Sequence, residues 1–253
     1  MRFLLLAAGL AAVASSQAPP PDAALEAARA AALHYSQTLP DFLCTEHIRR
    51  YDDWNGQEFR VDTLTLQVGY YKQQETYRLL ARDNHATGQR IESLNGSFSR
   101  GEFGSALRFI FDPESDAVFE PRPAARIRRR PVAVYAYAVA YSRSHYKLAS
   151  GVAETTTAYH GLVYIDSASH RTLRLTMETD PPESFPIREV ATTIDYDFRA
   201  IGGSQYLLPV RAEVRILERV TVRSLPRFLR YRNLVEFRDY RKFSTESRLT
   251  FEP

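Results

Sequence analysis

The sequence predicts a mainly β protein: one large, curled antiparallel sheet, an incomplete β-barrel, with an N-terminal helix and one short internal helix. Three observations predict this fold class. Segments that alternate apolar and polar residues, separated by turn residues, occupy most of the chain. Fifteen Tyr and fourteen Phe favour strands. Helical spacing occurs in only two segments, and no strand–helix–strand order indicates a parallel sheet.

The first 18 residues, MRFLLLAAGLAAVASSQA, have the organisation of a secretory signal peptide. One Arg precedes an apolar run from Phe3 to about Ala14, which is shorter than the ~20 residues that span a bilayer. We therefore expect export to the periplasm or secretion by a bacterium. The predicted organisation is a signal peptide over residues 1–18 and a single antiparallel β domain over residues 19–253.

Charge and cysteine content exclude several classes of function. The formal net charge is only +3, and one positive charge leaves with the signal peptide, so no nucleic-acid partner is indicated. A single Cys excludes an intramolecular disulfide framework. The six His lack metal-ligand spacing, and no nucleophile elbow, P-loop or dinucleotide motif occurs. We therefore predict no catalytic residue, no metal and no cofactor.

A helix is predicted over residues 22–39, where Leu25, Ala28 and Ala32 recur at helical spacing and Asp22 can cap the first turn. Three strands follow, with the sequences FLCTEHIRRY, VDTLTLQVGYY and TYRLLAR. Alternation of apolar and polar residues indicates each of them.

The middle of the chain is predicted to hold a short strand and an Asn95-Gly96 turn within residues 89–101. A short helix follows in GEFGSALRFIF, where apolar residues have helical spacing. After a brief strand in DAVFEP, the segment PVAVYAYAVAYS is apolar on both faces. It is therefore predicted to be a central strand covered on both sides.

The last hundred residues or so are predicted to form an antiparallel meander, because strand and turn patterns alternate regularly. The strands are AYHGLVYID, RTLRLTMET, REVATTIDYDFRAI, QYLLPVRAEVRI, RVTVRS, RNLVEFRDYRKF and SRLTF. In the third and fourth of these, one face is apolar and the other carries Asp195 and Asp197 beside arginines. We interpret the charged face as solvated ion pairs; a paired-carboxylate catalytic site is the alternative.

Roughly ten to twelve strands make a sheet about 50 Å wide, which two helices about 10 Å across cannot cover. The sheet must curl, split into a sandwich or leave an apolar hollow that suits a lipid or an acyl chain. The predicted lining of this hollow consists of Leu64, Leu66, Val68, Tyr135, Tyr137, Ile194, Tyr196, Leu208 and Val210. For each of these residues taken alone, the pattern favours an ordinary packed core over a cavity lining.

The strongest local charge cluster consists of Arg126, Arg128, Arg129 and Arg130, which stand among prolines. It is either a solvated connection or a contact to an anionic membrane or an envelope partner.

Two stretches, HGLVYIDSASHRTLRLTMETD and TTIDYDFRAIGGSQYLLPVRAEV, resemble the bacterial outer-membrane lipoprotein-sorting and carrier families, which are LolA-like and have RseB-like sensor relatives. The matching residues are Gly161, Val163, Ile165, Asp166, Leu173, Arg174, Asp195, Tyr196, Gly202, Leu208 and Pro209. LPDFLCTEHIRRY and GEFGSALRFIFDPES also resemble a group of uncharacterised exported bacterial proteins. The resemblance implies an incomplete antiparallel barrel in the periplasm, with a helix-lidded apolar cavity, whose members carry or sense lipoproteins or lipids.

These observations predict an exported, non-enzymatic carrier or sensor that binds an acyl chain or a lipoprotein, with an envelope membrane partner as a further expectation. The main alternative is an envelope scaffold or interaction protein whose sheet is fully packed. An outer-membrane barrel and a hydrolase are the less favoured alternatives.

Overall fold

The computed structural model describes residues 22–54, 56–94 and 103–243. Within these residues the α-helices are α1 (Ala23–Thr38) and α2 (Ser105–Phe111). The strands are β1 (Phe42–Trp54), β2 (Gln57–Tyr71), β3 (Gln74–Arg82), β4 (His85–Ala86), β5 (Val118–Ile127), β6 (Arg130–Val139), β7 (Lys147–Ser150), β8 (Ala153–Thr156), β9 (Ala158–Asp166), β10 (Thr172–Asp180), β11 (Ile187–Ile201), β12 (Ser204–Val222) and β13 (Leu225–Lys242). The predicted signal peptide, the Asn95-Gly96 turn and the strand SRLTF lie outside the described residues.

Eleven strands form one sheet in the order β4-β3-β2-β1-β13-β12-β11-β10-β9-β6-β5, while β7 and β8 form a separate hairpin. All of the described strand pairs are antiparallel. Pairing of β1 with β13 joins the first strands of the chain to its last. The sheet stays open, with β4 and β5 at its edges, so the predicted fold class is confirmed.

Helix α1 lies against the apolar face of the sheet, as the spacing of its apolar residues predicts. Asp22 caps it by accepting a hydrogen bond from the Ala24 amide at 2.9 Å, and Tyr135 donates its hydroxyl proton to the same carboxylate. Ala28 and Ala32 are buried in the main core. The hydroxyl of Tyr35 donates to the Leu207 carbonyl at 2.8 Å, which ties the end of the helix to β12.

Helix α2 covers another part of the same core. Leu107, Ile110 and Phe111 are all buried, as predicted from their spacing. The Phe103 ring, just before the helix, lies 5.3 Å from the ring centroid of Phe42 on β1. None of the described helices is long and apolar enough to cross a membrane.

Three details of the sheet correct the sequence predictions. The segment RVTVRS is not a separate strand, because β12 runs through 19 residues from Ser204 to Val222. The described part of residues 89–101 holds a 3-10 turn at Ile91–Ser93 and no strand. PVAVYAYAVAYS forms β6, which is second from an edge rather than central.

Strand β5 is longer than the DAVFEP segment predicts, because it continues through Pro121 and Pro123 to Ile127. Proline has no amide proton to donate to a neighbouring strand. An edge strand needs such donors on one side only, so β5 tolerates both prolines.

The β7–β8 hairpin has no counterpart in the sequence predictions, and it packs over part of the sheet. Leu148 of β7 is buried in a second apolar cluster with Phe185, Ile187, Val190 and Val214. This cluster provides a second covering layer where the two helices do not.

Candidate functional site

A groove of about 1000 Å³ lies between the β7–β8 hairpin, α2 and strands β3, β11, β12 and β13. Apolar and aromatic residues make up about half of its lining: Tyr77, Phe109, Tyr146, Leu148, Ile187, Val190, Val214, Ile216 and Tyr231. Four of them, Leu148, Ile187, Val190 and Val214, belong to the buried second cluster. Residues with charged or other polar side chains also reach it: Gln73, Glu75, Ser105, His145, Lys147, Ser150, Thr192 and Glu218.

The groove occupies the same face of the sheet as the main core. Val190 pairs with Ile216, which pairs with Tyr231, and directly opposed residues in antiparallel strands point to the same side. Ile194, four residues along β11 from Val190, points to this side as well and belongs to the main core. One apolar face therefore serves as core under the helices and as groove wall beside the hairpin.

The structure places eight of the nine residues predicted to line a hollow inside the main core: Leu64, Leu66, Val68, Tyr135, Tyr137, Ile194, Tyr196 and Leu208. Helix α1 covers part of this set, since Tyr35 lies edge-on to Tyr196 with 6.2 Å between ring centroids. The ninth, Val210, is half-buried and lines a different cavity among charged residues. Their part in binding stays a prediction.

The groove walls include residues that sequence reasoning did not single out as a site. Alternation along β11 and β12 does place Val190, Thr192, Val214 and Ile216 on the apolar face. The opposite wall comes from Tyr146 and the short β7–β8 hairpin, whose eight strand residues have no strong apolar pattern. Only the tertiary fold brings these two walls together.

The polar residues of the groove include carboxylates and neutral phenols. Glu218 accepts a hydrogen bond from the Ser150 hydroxyl at 2.6 Å, which ties the hairpin to β12. Burial, followed by the negative charge of Glu218, raises the pKa of Tyr231 to about 12. Lys147 lies 2.7 Å from Glu154 outside the groove lining, so its charge is already paired. The groove therefore favours an apolar ligand over an anionic one.

The predicted arginine cluster lies at the β5–β6 turn, where two of its members contact the sheet. Arg128 donates to the Tyr196 carbonyl and lies 3.1 Å from the carboxylate of Asp197. Arg130 lies 3.1 Å from the buried carboxylate of Asp166. Arg126 and Arg129 are exposed. The cluster is therefore partly structural, and its role as a membrane or partner contact stays a prediction.

A second cavity, of about 950 Å³, lies on the charged face and is lined mostly by arginines and acids of β10 to β13, together with Arg126 and Arg128 of the predicted arginine cluster. Asp195 accepts hydrogen bonds of 2.7 and 2.9 Å from Arg174. Asp197 accepts one of 2.8 Å from Arg199. These are the ion pairs predicted for this face, and both carboxylates are engaged in them rather than directed at each other.

A buried ion cluster on β1, β2 and β3 has no signal in the sequence. Arg50 donates two hydrogen bonds of 2.7 Å to Asp62, and Arg82 lies 2.9 Å from the same carboxylate. Burial alone would raise the pKa of Asp62, but the hydrogen bonds and charges of the two arginines outweigh it, and the net pKa is lowered.

Cys44 is the single cysteine, and its thiol is buried in the core. Burial raises the pKa of this thiol well above its usual range, and the nearby charge of Glu46 acts in the same direction. The thiol is therefore neutral and poorly nucleophilic. Among the residues that the structure describes, His, Cys, Asp and Glu form no group of three or more that could hold a metal ion.

No family model matches the chain, and no curated protein matches it. Similar solved structures include a LolA superfamily protein from Nitrosomonas europaea, with 12% identity, a TM-score of 0.43 and coverage of 90% of this chain and 96% of that one. They include an outer membrane lipoprotein-sorting protein domain from Vibrio parahaemolyticus, with 13% identity, a TM-score of 0.40 and coverage of 90% and 93%. The MucA/MucB complex of Pseudomonas aeruginosa is also similar, with 9% identity, a TM-score of 0.26 and coverage of 85% and 94%. The LolA superfamily, which two stretches of the sequence resemble, thus also occurs among the similar structures.

Proposed function

We propose that the protein is exported to the bacterial envelope, where it binds the acyl chain of a lipid or lipoprotein in the groove without catalysing a reaction. The observation that carries this proposal is the groove itself, a hollow whose lining is about half apolar or aromatic and continues the core face of the sheet. Its volume lies at the upper end of the range of about 300–1,000 Å³ typical of small-molecule sites.

Apolar burial supplies the binding energy in this proposal. Each methylene group removed from water contributes about 0.8 kcal/mol, so ten buried methylenes contribute about 8 kcal/mol before the cost of ordering the chain. The aromatic walls add contact area with little loss of side-chain entropy, because rings have few rotatable bonds. A straight acyl chain is the ligand class that uses such walls best.

The charges around the groove set the orientation of the chain. Glu75 and Glu218 are both among the lining residues, and the ammonium of Lys147 is paired with Glu154. A negatively charged headgroup inside the groove would be repelled and would lose its hydration. The chain therefore enters the groove with its apolar end, and the headgroup stays outside the groove in water.

The eight buried residues of the predicted lining are proposed as a deeper zone of the same site. A photoactivatable fatty acid carrying a diazirine tests this point by labelling the side chains nearest to it. Labelled peptides containing Tyr77, Tyr146 or Tyr231 indicate the groove, while peptides containing Tyr135 or Tyr196 indicate the deeper zone.

Native mass spectrometry of the purified protein and displacement of a fluorescent fatty acid test the binding itself. Thr192→Trp is the matched variant, because Thr192 is half-buried and lines the groove. Thr193→Trp is its control, since the adjacent residue points to the other face of β11. We expect only Thr192→Trp to weaken binding, by about tenfold or more, as the indole fills the space of several methylenes.

A protein that carries no lipid and binds no fluorescent fatty acid would instead support the scaffold interpretation. Export is tested separately. Export is supported if osmotic shock releases the protein and its mature N-terminus lies near residue 18. Export is contradicted if the protein is recovered from the cytoplasm with its N-terminal segment intact.

A further inference from the structure

The hairpin of β12 and β13 extends beyond the rest of the sheet. Pairing of β11 with β12 stops at Ile187 and Glu218, and pairing of β1 with β13 stops at Asp53 and Arg230. Residues 219–229 therefore pair only with each other. This segment is called the ribbon below.

The ribbon is both basic and apolar at its surface. It contains Arg219, Arg223 and Arg227 and no acidic residue. None of these three arginines forms an ion pair with the residues that the structure describes. Leu225 and Phe228 are 57% and 56% exposed, whereas most of the large apolar side chains that the structure describes are buried or half-buried. Exposed apolar residues grouped in this way mark an interaction surface.

Further exposed aromatic residues lie next to the base of the ribbon. Trp54 ends β1, directly after the residue that pairs with Arg230, and it is 40% exposed. Phe59, on the neighbouring strand β2, is 48% exposed. The apolar surface therefore continues from the ribbon onto the β1–β2 hairpin at the same end of the sheet.

The register connects the ribbon to the groove. Ile216 and Tyr231 are paired and line the groove. Going toward the tip, the pairs on the same face are Glu218 with Leu229, Val220 with Arg227, and Val222 with Leu225. An apolar side chain is present in every pair, so an almost continuous apolar track runs from the groove to the tip.

We propose that the ribbon docks the protein onto the surface of an anionic phospholipid bilayer. Leu225 and Phe228 enter the interface between headgroups and acyl chains, and the arginines bind lipid phosphates through their planar guanidinium groups. Arginine and apolar side chains occupy both faces of the ribbon, since Arg219 pairs with Phe228 on the face opposite to Leu225. A bilayer surrounds an inserted tip on every side, whereas a partner protein would cover one face, so this distribution favours a membrane.

Docking does not require an occupied groove. Under the proposed function, the apolar track would lead an acyl chain from the bilayer to the groove. A chain leaving the bilayer at the ribbon tip would meet an apolar side chain at each of the three pairs before it reaches the groove. The two proposals are therefore tested with separate variants.

Vesicle flotation tests the docking. The full mature protein is mixed with vesicles of phosphatidylcholine alone or of phosphatidylcholine with phosphatidylglycerol. We expect binding only to the second kind, and we expect salt to weaken it. The test variants are R223E/R227E, which reverses two charges, and Leu225→Ser, which removes one exposed apolar side chain. The matched control is R241E/K242E, which reverses two exposed basic residues at the opposite end of β13.

We expect R223E/R227E to reduce the partition constant for vesicle binding about tenfold or more, Leu225→Ser to reduce it several-fold, and R241E/K242E to change it less than twofold. Equal losses in R223E/R227E and R241E/K242E would overturn the proposal, as would binding to neutral vesicles alone or capture of an acidic protein with no affinity for vesicles. Both ribbon variants should still bind the fluorescent fatty acid with the affinity of the unmodified protein. Thr192→Trp should still float with the anionic vesicles. A failure of docking is thereby distinguished from a failure of the groove.

Discussion

Arg50 and Asp62 form an ion pair that is almost entirely removed from solvent, with 4% and 0% of their side chains exposed. Two charges in a core are costly to dehydrate, and the geometry here compensates through two hydrogen bonds of 2.7 Å. Arg82, which is 42% exposed, adds a third contact from the side. The pair therefore tolerates burial only while both partners are present.

We predict that Arg50→Met lowers the free energy of unfolding by about 3 kcal/mol, the lower end for breaking a buried pair, because Arg82 still contacts Asp62. The double variant Arg50→Met/Asp62→Leu should recover most of this loss, since it leaves no buried charge. Urea unfolding measures both values. Equal destabilisation in the single and double variants would show that the unpaired buried charge is not the cause of the loss.

Carboxylates with lowered pKa values make the stability depend on pH. The pKa of Asp62 is lowered by the two arginines against the opposing effect of burial, and that of Glu236 is lowered chiefly by its hydrogen bond from Arg238. A lowered pKa adds stability above the unfolded value of about 4, and this stability is lost as the pH falls through the folded pKa. We predict that the free energy of unfolding decreases below about pH 4. Denaturant titrations from pH 7 to pH 3 would refute this if they showed no change, and Arg50→Met/Asp62→Leu should have a shallower pH dependence.

At the scale of single elements, β9 and β10 approach so closely at Gly161 that a Cβ atom there would overlap the carbonyl oxygen of Thr176. The same carbonyl accepts a hydrogen bond from the Tyr137 hydroxyl at 2.8 Å, and the Thr176 hydroxyl accepts one from the Leu162 amide at 2.9 Å. The glycine is therefore required by backbone contact between two strands.

We predict that Gly161→Ala destabilises the fold by about 3 kcal/mol, because backbone atoms of β10 cannot move aside as a flexible side chain can. Gly88→Ala is the control, since a Cβ atom at Gly88 would meet nothing within 4 Å. Thermal and urea unfolding compare the two. If Gly161→Ala lowered the free energy of unfolding no more than Gly88→Ala does, β9 and β10 would be able to separate without cost.

Strand β12 is the element that connects the two proposals. Its 19 residues contribute Val214 and Ile216 to the groove and Val220 and Val222 to the ribbon. The sequence pattern predicts an end at Ile216 and a separate strand at RVTVRS. A strand of this length projects beyond its neighbours, and the projecting part exposes side chains that a shorter strand would bury.

At the scale of the whole molecule, β1 and β13 unite the first and last parts of the chain in the middle of the sheet. Strands with partners on both sides need a larger opening before their amides reach water. We predict that hydrogen exchange is slowest in β1, β13 and the paired part of β12, and fastest in the edge strands β4 and β5. Slow exchange in β5 together with fast exchange in β1 would contradict this topology.

Much of the fold could be predicted from local pattern. Asp22 and the spacing of Ala28 and Ala32 located α1, and Leu107 and Ile110 located α2. Alternation identified the main strands, because each of these signals acts within a few residues of chain. The position of β6 and the β7–β8 hairpin could not be predicted, since strand order depends on pairings between residues far apart in sequence.

By itself, the sequence determined that this protein is an antiparallel sheet with one apolar face, one charged face and too few helices to cover the apolar one. Side-chain alternation and the size of the helices suffice for that conclusion. Only the tertiary structure decided where the uncovered part lies. Helix α1 packs near Tyr196, while Ile216 and Tyr231 face the groove, and the ribbon extends beyond the last partner strand. Those outcomes depend on how distant elements pack against one another, which no local pattern records.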